Sequence, residues 1–407
     1  MNFEYFFAKR ITFQSDRKAS HLVIRLSILS IALAVATMEI ALSFVQGFET
    51  EIQKKVIGFG SHILIGNYYR ELDTEAIPLS TDESAIDQVR ALPGVESISP
   101  YVDRWCIVLS DTAWDGANLK GVSASYDWKF FKSVIKEGTV PDFAASPESA
   151  SRDVLISAKM ARLLNLSLGD RCILLFKGEP PRRRPVNVIG IYETGMEEFD
   201  NHLMICDIRL LQRLNRWELN QASGFEVRIT DLDEIERLTF ETNELMPYQF
   251  GAEPITYLYR EIFDWLDLQH QNVDIILILM IIVGIINMTS VILILIIERT
   301  RTVGILKAVG LNSWRIMKMF TWYAFFMIVI GVILGNILGF GVLASQEYFE
   351  WLQVSQEDYF IKVVPVAWVW DRFLFVNIAV ILMSTAFMLL PSLVILKISP
   401  LRAIRFE

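Results

Sequence analysis

Residues 275–297 read IILILMIIVGIINMTSVILILII, a run without a single charged side chain. The hydrocarbon core of a bilayer is about 30 Å thick, and a helix that rises about 1.5 Å per residue needs about 20 apolar residues to cross it. The run therefore predicts a transmembrane helix. Residues 22–46, 319–343 and 373–396 meet the same criterion, so the sequence predicts four transmembrane helices.

The composition agrees with a membrane protein. Of the 407 residues, 53% are hydrophobic and 21% are charged, which is too apolar for a disordered chain or an ordinary soluble domain. The formal net charge of −9 argues against a protein that binds nucleic acid. Because the first run is long and no small-residue cleavage site follows it, we expect it to be retained as a membrane anchor.

One long stretch, residues 47–274, separates the first two runs and predicts an extramembrane domain. Within it, residues 84–102 (SAIDQVRALPGVESISPYV) predict a helix, a Pro-Gly turn and a strand. Residues 153–176 (DVLISAKMARLLNLSLGDRCILLF) predict a strand, a helix, a turn and a strand. The predicted fold class is an α-helical membrane protein with four transmembrane helices and a large α/β domain inserted between helices 1 and 2.

The two ends of the inserted domain have related patterns. Residues 231–246 (DLDEIERLTFETNELM) predict a helix that leads to a strand at 254–259 (PITYLY). We therefore expect the flanks, 47–151 and 224–274, to form one subdomain, with residues 152–223 inserted as another.

The distribution of charge predicts the orientation. Residues 1–25, 298–318 and 397–407 carry net charges of +3, +4 and +2, whereas 47–274 carries −14 and 344–372 carries −3. Lys and Arg are enriched in cytoplasmic loops of membrane proteins. We therefore expect a cytoplasmic N-terminal segment (1–21), central loop and tail, and a periplasmic domain and second loop.

The chain contains Cys106, Cys172 and Cys206, all in the inserted domain. One disulfide with a free thiol and three buried thiols are both compatible with this odd number. The spacing of the cysteines predicts no metal site.

Catalytic signatures are absent from the sequence. There is no G-x-x-x-x-G-K-[ST] phosphate loop, no H-E-x-x-H and no G-x-S-x-G. We therefore interpret the chain as a protein without catalytic residues.

Residues 298–311 (ERTRTVGILKAVGL) follow the second membrane run directly and predict a short amphipathic helix. Such a helix between two spanning helices could transmit a push from a cytoplasmic partner. The alternative is a helix on the bilayer surface with its cations on anionic head groups.

Polar and small residues within the runs predict helix contacts. Gly331, Gly335 and Gly339 are spaced by four residues and predict a smooth face for close helix packing. Asn287 and Asn336 are expected to hydrogen-bond between helices. Glu39 is costly inside a membrane, and we weigh two environments for it, a water-accessible cavity and contact with head groups.

Residues 177–185 (KGEPPRRRP) connect two predicted strands. Three adjacent arginines between prolines predict a projecting hairpin tip rather than core. It is either a solubilising loop or a basic docking prong for an acidic partner.

The order and spacing of the motifs resemble a known family. They are FFAKRI (6–11), VQGFETEIQKKVIGFGSHILI (45–65), ALPGVESISP (91–100), DVLISAKMARLLNLSLGD (153–170), VNVIGIY (186–192), ERTRTVGILKAVG (298–310), DYFIKVVPV (358–366) and SPLRAIRFE (399–407). Together they resemble the mechanotransmission permeases of ABC transporters, the superfamily of MacB and FtsX, and most closely the lipoprotein-releasing (Lol-type) permeases.

The resemblance implies that residues 298–318 contact a separate cytoplasmic ATPase subunit, which binds ATP and Mg²⁺, while this chain binds no cofactor. The residues implied in this coupling are Glu298, Arg299, Arg301, Val303, Gly304, Ile305, Leu306, Lys307 and Gly310. It also implies a complex of two ATPase copies with two permeases, the second being another copy or a paralogue, in the bacterial inner membrane.

The resemblance further implies a cargo of acylated lipoproteins, which are lifted from the outer leaflet and passed to a periplasmic carrier chaperone. The flanks of the external domain would be porter-like and the insertion sabre-like. The residues implied in lipid entry are Met38, Glu39, Leu42 and Val45. Some family members carry a long hairpin hook that recruits the carrier; the corresponding connection here is short, and its docking residues would be Pro181, Arg182, Arg183 and Arg184.

Two other functions share this architecture. A MacB-like exporter would move substrates that are already in the periplasm. An FtsX-like device would activate a periplasmic cell-wall hydrolase.

Overall fold

The structure, a computed structural model, describes residues 18–67, 77–80, 84–144, 150–393 and 395. The motifs at 6–11 and 399–407, the predicted segment 397–407 and most of 1–21 lie outside the described residues. The chain divides into two compact units. The membrane unit comprises Met1–Glu49, Trp265–Gln353 and Val363–Glu407, and the external unit comprises Thr50–Asp264 and Val354–Lys362.

Helices and strands follow one another in an order that alternates between the two units. The first half comprises α1 (Lys18–Gly60), β1 (Ile63–Asn67), β2 (Leu79–Ser80), α2 (Ser84–Arg90), β3 (Val95–Leu109), β4 (Trp114–Val122), α3 (Lys129–Val134), β5 (Ile135–Gly138), β6 (Asp153–Ser157), α4 (Ala158–Leu164), β7 (Arg171–Phe176), β8 (Arg182–Tyr192) and α5 (Glu197–Asp200). The second half comprises β9 (Leu203–Asp207), α6 (Ile208–Asn215), β10 (Gln221–Ala222), β11 (Gly224–Ile229), a 3₁₀ turn (Leu232–Glu234), α7 (Ile235–Leu245), β12 (Phe250–Pro254), α8 (Ile255–Leu258), α9 (Arg260–Glu298), α10 (Thr300–Ala308), α11 (Ser313–Phe349), α12 (Gln356–Tyr359), α13 (Trp370–Phe387) and α14 (Leu389–Ser392).

Among the described residues, four helices are long and apolar enough to cross a membrane, which confirms the predicted fold class. They are α1 from Ile24, α9, α11 and α13. The first three extend well past the length that a bilayer requires, with 37 to 39 residues each. The predicted fourth run, 373–396, is interrupted at Met388, where α13 ends and α14 follows.

The glycines of α11 allow α1 to pack closely against it. A Cβ atom at Gly331 would lie 2.8 Å from the Ile31 side chain, and one at Gly335 would lie 2.7 Å from Val35 Cβ. Both distances are shorter than carbon atoms tolerate, so only glycine permits this approach. The contact belongs to a continuous apolar core that all four spanning helices share.

The two flanks of the external domain form an antiparallel four-stranded sheet in the order β12-β1-β11-β3. Helices α2 and α7 contact each other and the sheet. The strand predicted at residues 254–259 is wrong: β12 ends at Pro254, and the next four residues form α8. Proline suits the boundary of a helix, and Ile255 is fully buried as α8 begins.

Six strands, β3 among them, close into a small barrel, whereas β5 pairs with β8 outside the ring and β2 pairs with β10. Strand β3 pairs with β4 and β7, and the pairs β4–β9, β9–β6, β6–β8 and β8–β7 complete a ring of six strands. The inserted subdomain therefore does not begin at Arg152 as predicted, because it also contains β4 and half of β3. The 15 residues of β3 serve two sheets, pairing with β11 over their first half and with β4 over their second.

The three cysteines are free and buried in the barrel, which decides between the two predicted states in favour of thiols. Removal from water disfavours a thiolate. Burial accordingly raises the pKa of Cys106 to about 12, with a smaller contribution from Cys172, whose own pKa burial raises to about 11.

We predict that Gly335→Ala destabilises the protein and Gly341→Ala does not. The new methyl group at position 335 would meet Val35 Cβ and the Ala32 carbonyl oxygen, at 2.7 and 2.8 Å, whereas a Cβ at Gly341 meets nothing within 4 Å. Overpacking costs about 1–3 kcal/mol, which exceeds the helix-propensity gain of about 1 kcal/mol from replacing glycine. Thermal unfolding of the full chain in detergent tests this, and equal melting temperatures for the two variants would contradict the packing described.

We also predict that a maleimide reagent labels none of the three cysteines in the native protein at pH 7.5. Burial hinders access, and the raised pKa values keep the reactive thiolate scarce. After denaturation in SDS, mass spectrometry should detect three labels per chain. Labelling before denaturation, or a mass that requires a disulfide, would contradict the buried-thiol assignment.

Candidate functional site

The segment between α9 and α11 forms a short helix, α10, at one end of the membrane unit. A single residue, Arg299, separates α9 from α10. The Thr300 hydroxyl donates to the carbonyl oxygens of Ile296 and Ile297, at 3.0 and 2.7 Å, and so satisfies acceptors at the end of α9. After α10, Gly310 has φ +94°, a conformation that favours glycine and lets the chain reverse into α11.

The two sides of α10 have different surroundings. Val303 and Gly304 are buried against the rest of the chain, whereas Ile305 and Val309 are 49% and 79% exposed. Arg301 is exposed one turn before Ile305. Exposed residues spaced by four positions form a stripe along one helix face. We call Arg301, Ile305 and Val309 the free face of α10.

A hydrogen bond holds the other side of α10. Lys307 Nζ donates to the carbonyl oxygen of Ile395 at 2.6 Å, and partial burial lowers the pKa of this lysine. Of the coupling residues predicted from the sequence, Val303 and Gly304 therefore lie inside this chain and cannot be reached by a partner without rearrangement. The exposed members of the predicted set are Arg301, Ile305 and Gly310, and its partly exposed members are Glu298, Arg299, Leu306 and Lys307.

Glu39 lies in a polar cluster between three helices. Its side chain is 0% exposed, so neither predicted environment, a water-accessible cavity or contact with head groups, is correct. Asn377 Nδ2 on α13 donates to Glu39 Oε1 at 3.2 Å, and Asn336 Nδ2 on α11 donates to Asn377 Oδ1 at 2.7 Å. A Cβ at Gly339 would lie 2.5 Å from Glu39 Oε2, so glycine makes room for the carboxyl group.

The other residues predicted to line a lipid entry are also enclosed. Met38 and Leu42 are buried in the membrane core, and Val45 is half-buried against it. All four spanning helices expose apolar side chains. Those on α1 include Leu26, Leu29 and Leu33, and those on the first half of the apolar run of α9 are Ile275, Ile276, Ile278, Leu279, Ile282, Val283 and Ile286.

The three arginines of the basic hairpin belong to strand β8 rather than to the tip. Arg182, Arg183 and Arg184 pair with Phe176, Leu175 and Leu174 of β7, so the tip is residues 177–181. Arg182 donates to the Leu214 carbonyl oxygen, and Arg183 is exposed. Long arginine stems can cover a sheet while their guanidinium groups stay in water, which is why a charged run can continue a strand.

In the external unit, the end of α1 lies among aromatic rings. Phe59 stacks on Phe199 with ring centroids 4.2 Å apart, and its ring meets Phe131 edge to face at 5.6 Å. Nearby, Lys55 Nζ donates to the carbonyl oxygens of Thr194 and Phe360, both at 2.6 Å.

A groove of about 500 Å³ lies beside this aromatic cluster. Tyr101, Trp105, Phe199 and Tyr259 contribute to its walls. Lys120 forms a buried ion pair there with Glu226, and its Nζ also donates to the Phe59 carbonyl oxygen at 2.5 Å. Burial alone would lower the pKa of Lys120, but the adjacent carboxylate outweighs that effect and raises it.

Sequence reasoning missed Asn377, Lys55 and the Lys120–Glu226 pair. Their partners are far away in the sequence, with 338 positions between Glu39 and Asn377 and 305 between Lys55 and Phe360. The one available signal was the polar Asn377 within an apolar run, and that does not identify a partner.

Comparisons with known proteins match both parts of the chain. The family model described as "MacB-like periplasmic core domain" matches residues 26–245, more than half of the chain, and "FtsX-like permease C-terminal" matches residues 275–400.

Curated relatives extend over most of the length. The lipoprotein-releasing system transmembrane protein LolC of Neisseria meningitidis serogroup B is 25% identical over 83% of each chain. The corresponding LolE of Haemophilus influenzae is 22% identical over 93% of each chain. Among solved structures, the periplasmic region of MacB from Actinobacillus actinomycetemcomitans covers 51% of this chain and 95% of its own, with 16% identity and a TM-score of 0.36.

Family matches to both parts of the chain agree with four apolar helices and an α/β domain between the first two. The chain belongs to the ABC-transporter permeases of the MacB–FtsX superfamily, with a MacB-like periplasmic core domain and an FtsX-like permease C-terminal region.

Proposed function

We propose that this chain is the permease subunit that extracts acylated lipoproteins from the outer leaflet of the inner membrane for transfer to a periplasmic carrier. The observation that carries the proposal is its similarity, over most of its length, to relatives named for lipoprotein release. The MacB-like core domain favours a second candidate, export of substrates that are already in the periplasm.

The proposed orientation places α10 and both termini in the cytoplasm. It is supported by the net charge of +4 on residues 298–318 and of −14 on residues 47–274. The external domain would then lie in the periplasm.

We propose that the chain itself is not catalytic and that two copies of a cytoplasmic ATPase, which bind ATP and Mg²⁺, supply the energy. The free face of α10 would be their contact surface, since Ile305 and Val309 are apolar and exposed beside a cationic Arg301. Exposed apolar residues next to a charge are typical of the anchors of a protein interface.

Acyl chains would enter along the exposed side of α9 rather than along Met38, Glu39 and Leu42. The apolar run of α9 follows residues 47–274 in the sequence, so in the proposed orientation its first half, which includes the exposed Ile278 and Ile282, would lie in the outer leaflet. A second permease, identical or paralogous, would complete the path there. The exposed Arg183 and the short tip at 177–181 are the part of the hairpin that could contact a carrier.

Depletion of this chain in its native bacterium tests the cargo. We expect newly made outer-membrane lipoproteins to accumulate in the inner membrane, as measured by pulse labelling and membrane fractionation. Re-expression of the wild-type chain is the control. If lipoproteins still reach the outer membrane at the normal rate during depletion, and export of another substrate is lost, the proposal is wrong and the MacB-like alternative is supported.

For the coupling surface, we predict that Ile305→Asp abolishes permease-dependent stimulation of the partner ATPase in a reconstituted complex. An aspartate on the free face would place a charge in a contact that excludes water. Ile305→Val keeps the contact apolar and should retain most of the stimulation. If Ile305→Asp assembles and stimulates normally, α10 does not contact the ATPase through this face.

A further inference from the structure

We propose that a cavity at the cytoplasmic end of the membrane unit binds the head group and the adjoining acyl chain of an anionic phospholipid from the inner leaflet. The cavity lies between the first turns of α11 and the end of α13 and has a volume of about 530 Å³. The assignment to the inner leaflet rests on the orientation given above. The lining residues that carry the argument are Trp314, Lys318, Trp322, Phe325, Thr385 and Leu389.

Two polar groups of the cavity have no partner in the part of the chain that the structure describes. Among the residues that the structure describes, the exposed Lys318 ammonium group makes no ion pair or hydrogen bond. The Thr385 hydroxyl is buried and likewise has no partner in the described part of the chain. By contrast, the hydroxyl of Thr321, another lining residue, donates to the Met317 carbonyl oxygen at 3.1 Å.

A phosphodiester would satisfy both groups. Its negative oxygens can accept a charge-assisted hydrogen bond from an ammonium group and a second bond from a hydroxyl. An unsatisfied buried hydroxyl costs free energy, so a ligand that pairs with Thr385 recovers that cost on binding. Basic pockets between helices on the cytoplasmic side of a membrane are suited to anionic lipid head groups.

The rest of the cavity is apolar and aromatic, as an acyl chain requires. Trp322 and Phe325 meet edge to face with ring centroids 5.6 Å apart, and both lie within the predicted membrane run of α11. Trp314, which is 60% exposed, stands two turns earlier, beside Lys318. Tryptophan concentrates at the level of lipid head groups, which fits a gradient from a polar mouth to an apolar interior.

The depth of the cavity within the predicted membrane run distinguishes between a protein and a lipid as its ligand. A soluble ATPase could reach Trp314 but not the walls at Trp322 and Phe325, because those two residues lie within the predicted membrane run 319–343 and Trp314 precedes it. Residues 298–318 carry a net charge of +4, which attracts anionic lipids of the facing leaflet. A phospholipid is the ligand that offers an anion at the surface and an apolar chain below it.

The cavity is also connected to the coupling segment. Leu389 opens α14, and Ile395, which follows α14, accepts the hydrogen bond from Lys307 of α10. A lipid against Leu389 would therefore stabilise the segment that holds the buried side of α10.

The test is native mass spectrometry of the full chain in detergent, titrated with palmitoyl-oleoyl phosphatidylglycerol or with the matching phosphatidylcholine. We expect one phosphatidylglycerol molecule to bind tightly to each chain and phosphatidylcholine to bind more weakly. Lys318→Gln should weaken phosphatidylglycerol binding about fivefold, the effect of about one cation near a lipid surface, without changing phosphatidylcholine binding. Thr385→Val, which keeps the side-chain shape, should also weaken it.

Arg315→Gln is the matched control, since Arg315 is exposed one turn from Lys318 but does not line the cavity. Equal losses for Arg315→Gln and Lys318→Gln would reveal general surface attraction and overturn the proposal. Competition by glycerol 3-phosphate at the same affinity would assign the site to a soluble anion and overturn the proposal. Cross-linking of two chains through Trp322→Cys would assign the site to a second copy and overturn it as well. Because neither ATPase nor lipoprotein is present, failure here leaves the proposed cargo untouched.

Discussion

The close approach of α1 to α11 is the constraint on which the membrane unit depends. Helices in a bilayer gain little from hydrophobic association, so they need backbone proximity and interhelical hydrogen bonds to stay together. Gly331, Gly335 and Gly339 supply the proximity, because each faces an α1 side chain that a larger residue would displace. The same approach brings Glu39 to Asn377, so a carboxyl group that would be costly in lipid gains a hydrogen-bond donor.

The same helix contributes to the external unit. The last turns of α1 end among Phe131 and Phe199, and Lys55 makes hydrogen bonds with two separate segments, at Thr194 and Phe360. The ring contacts of Phe59 and the two hydrogen bonds of Lys55 hold this end of α1 in place. These contacts hold the last turns of α1 within the external unit.

Much of this arrangement was predictable because it depends on local pattern. The four spans, the helix–turn–strand at residues 84–102 and the helix at 231–246 follow from periodicity and turn residues, and the structure confirms them. The barrel boundary was not predictable, because nothing local shows that β3 pairs with β11 over one half and β4 over the other. The environment of Glu39 depends on a residue 338 positions away, and Arg182 lies in a strand because β7 continues to pair beside it.

The two sides of α10 differ in a way that is compatible with the proposed coupling role, although part of the predicted contact set is buried. Val303 and Gly304 pack inside the chain and Lys307 is bonded to Ile395, so one side of the helix is fixed to its own subunit. The opposite side presents Ile305 and Val309. A helix that was exposed on both sides could shift under load without moving its neighbours. With one side fixed and only Arg299 between it and α9, α10 is placed to pass a displacement of its exposed side to α9, as the proposed coupling requires.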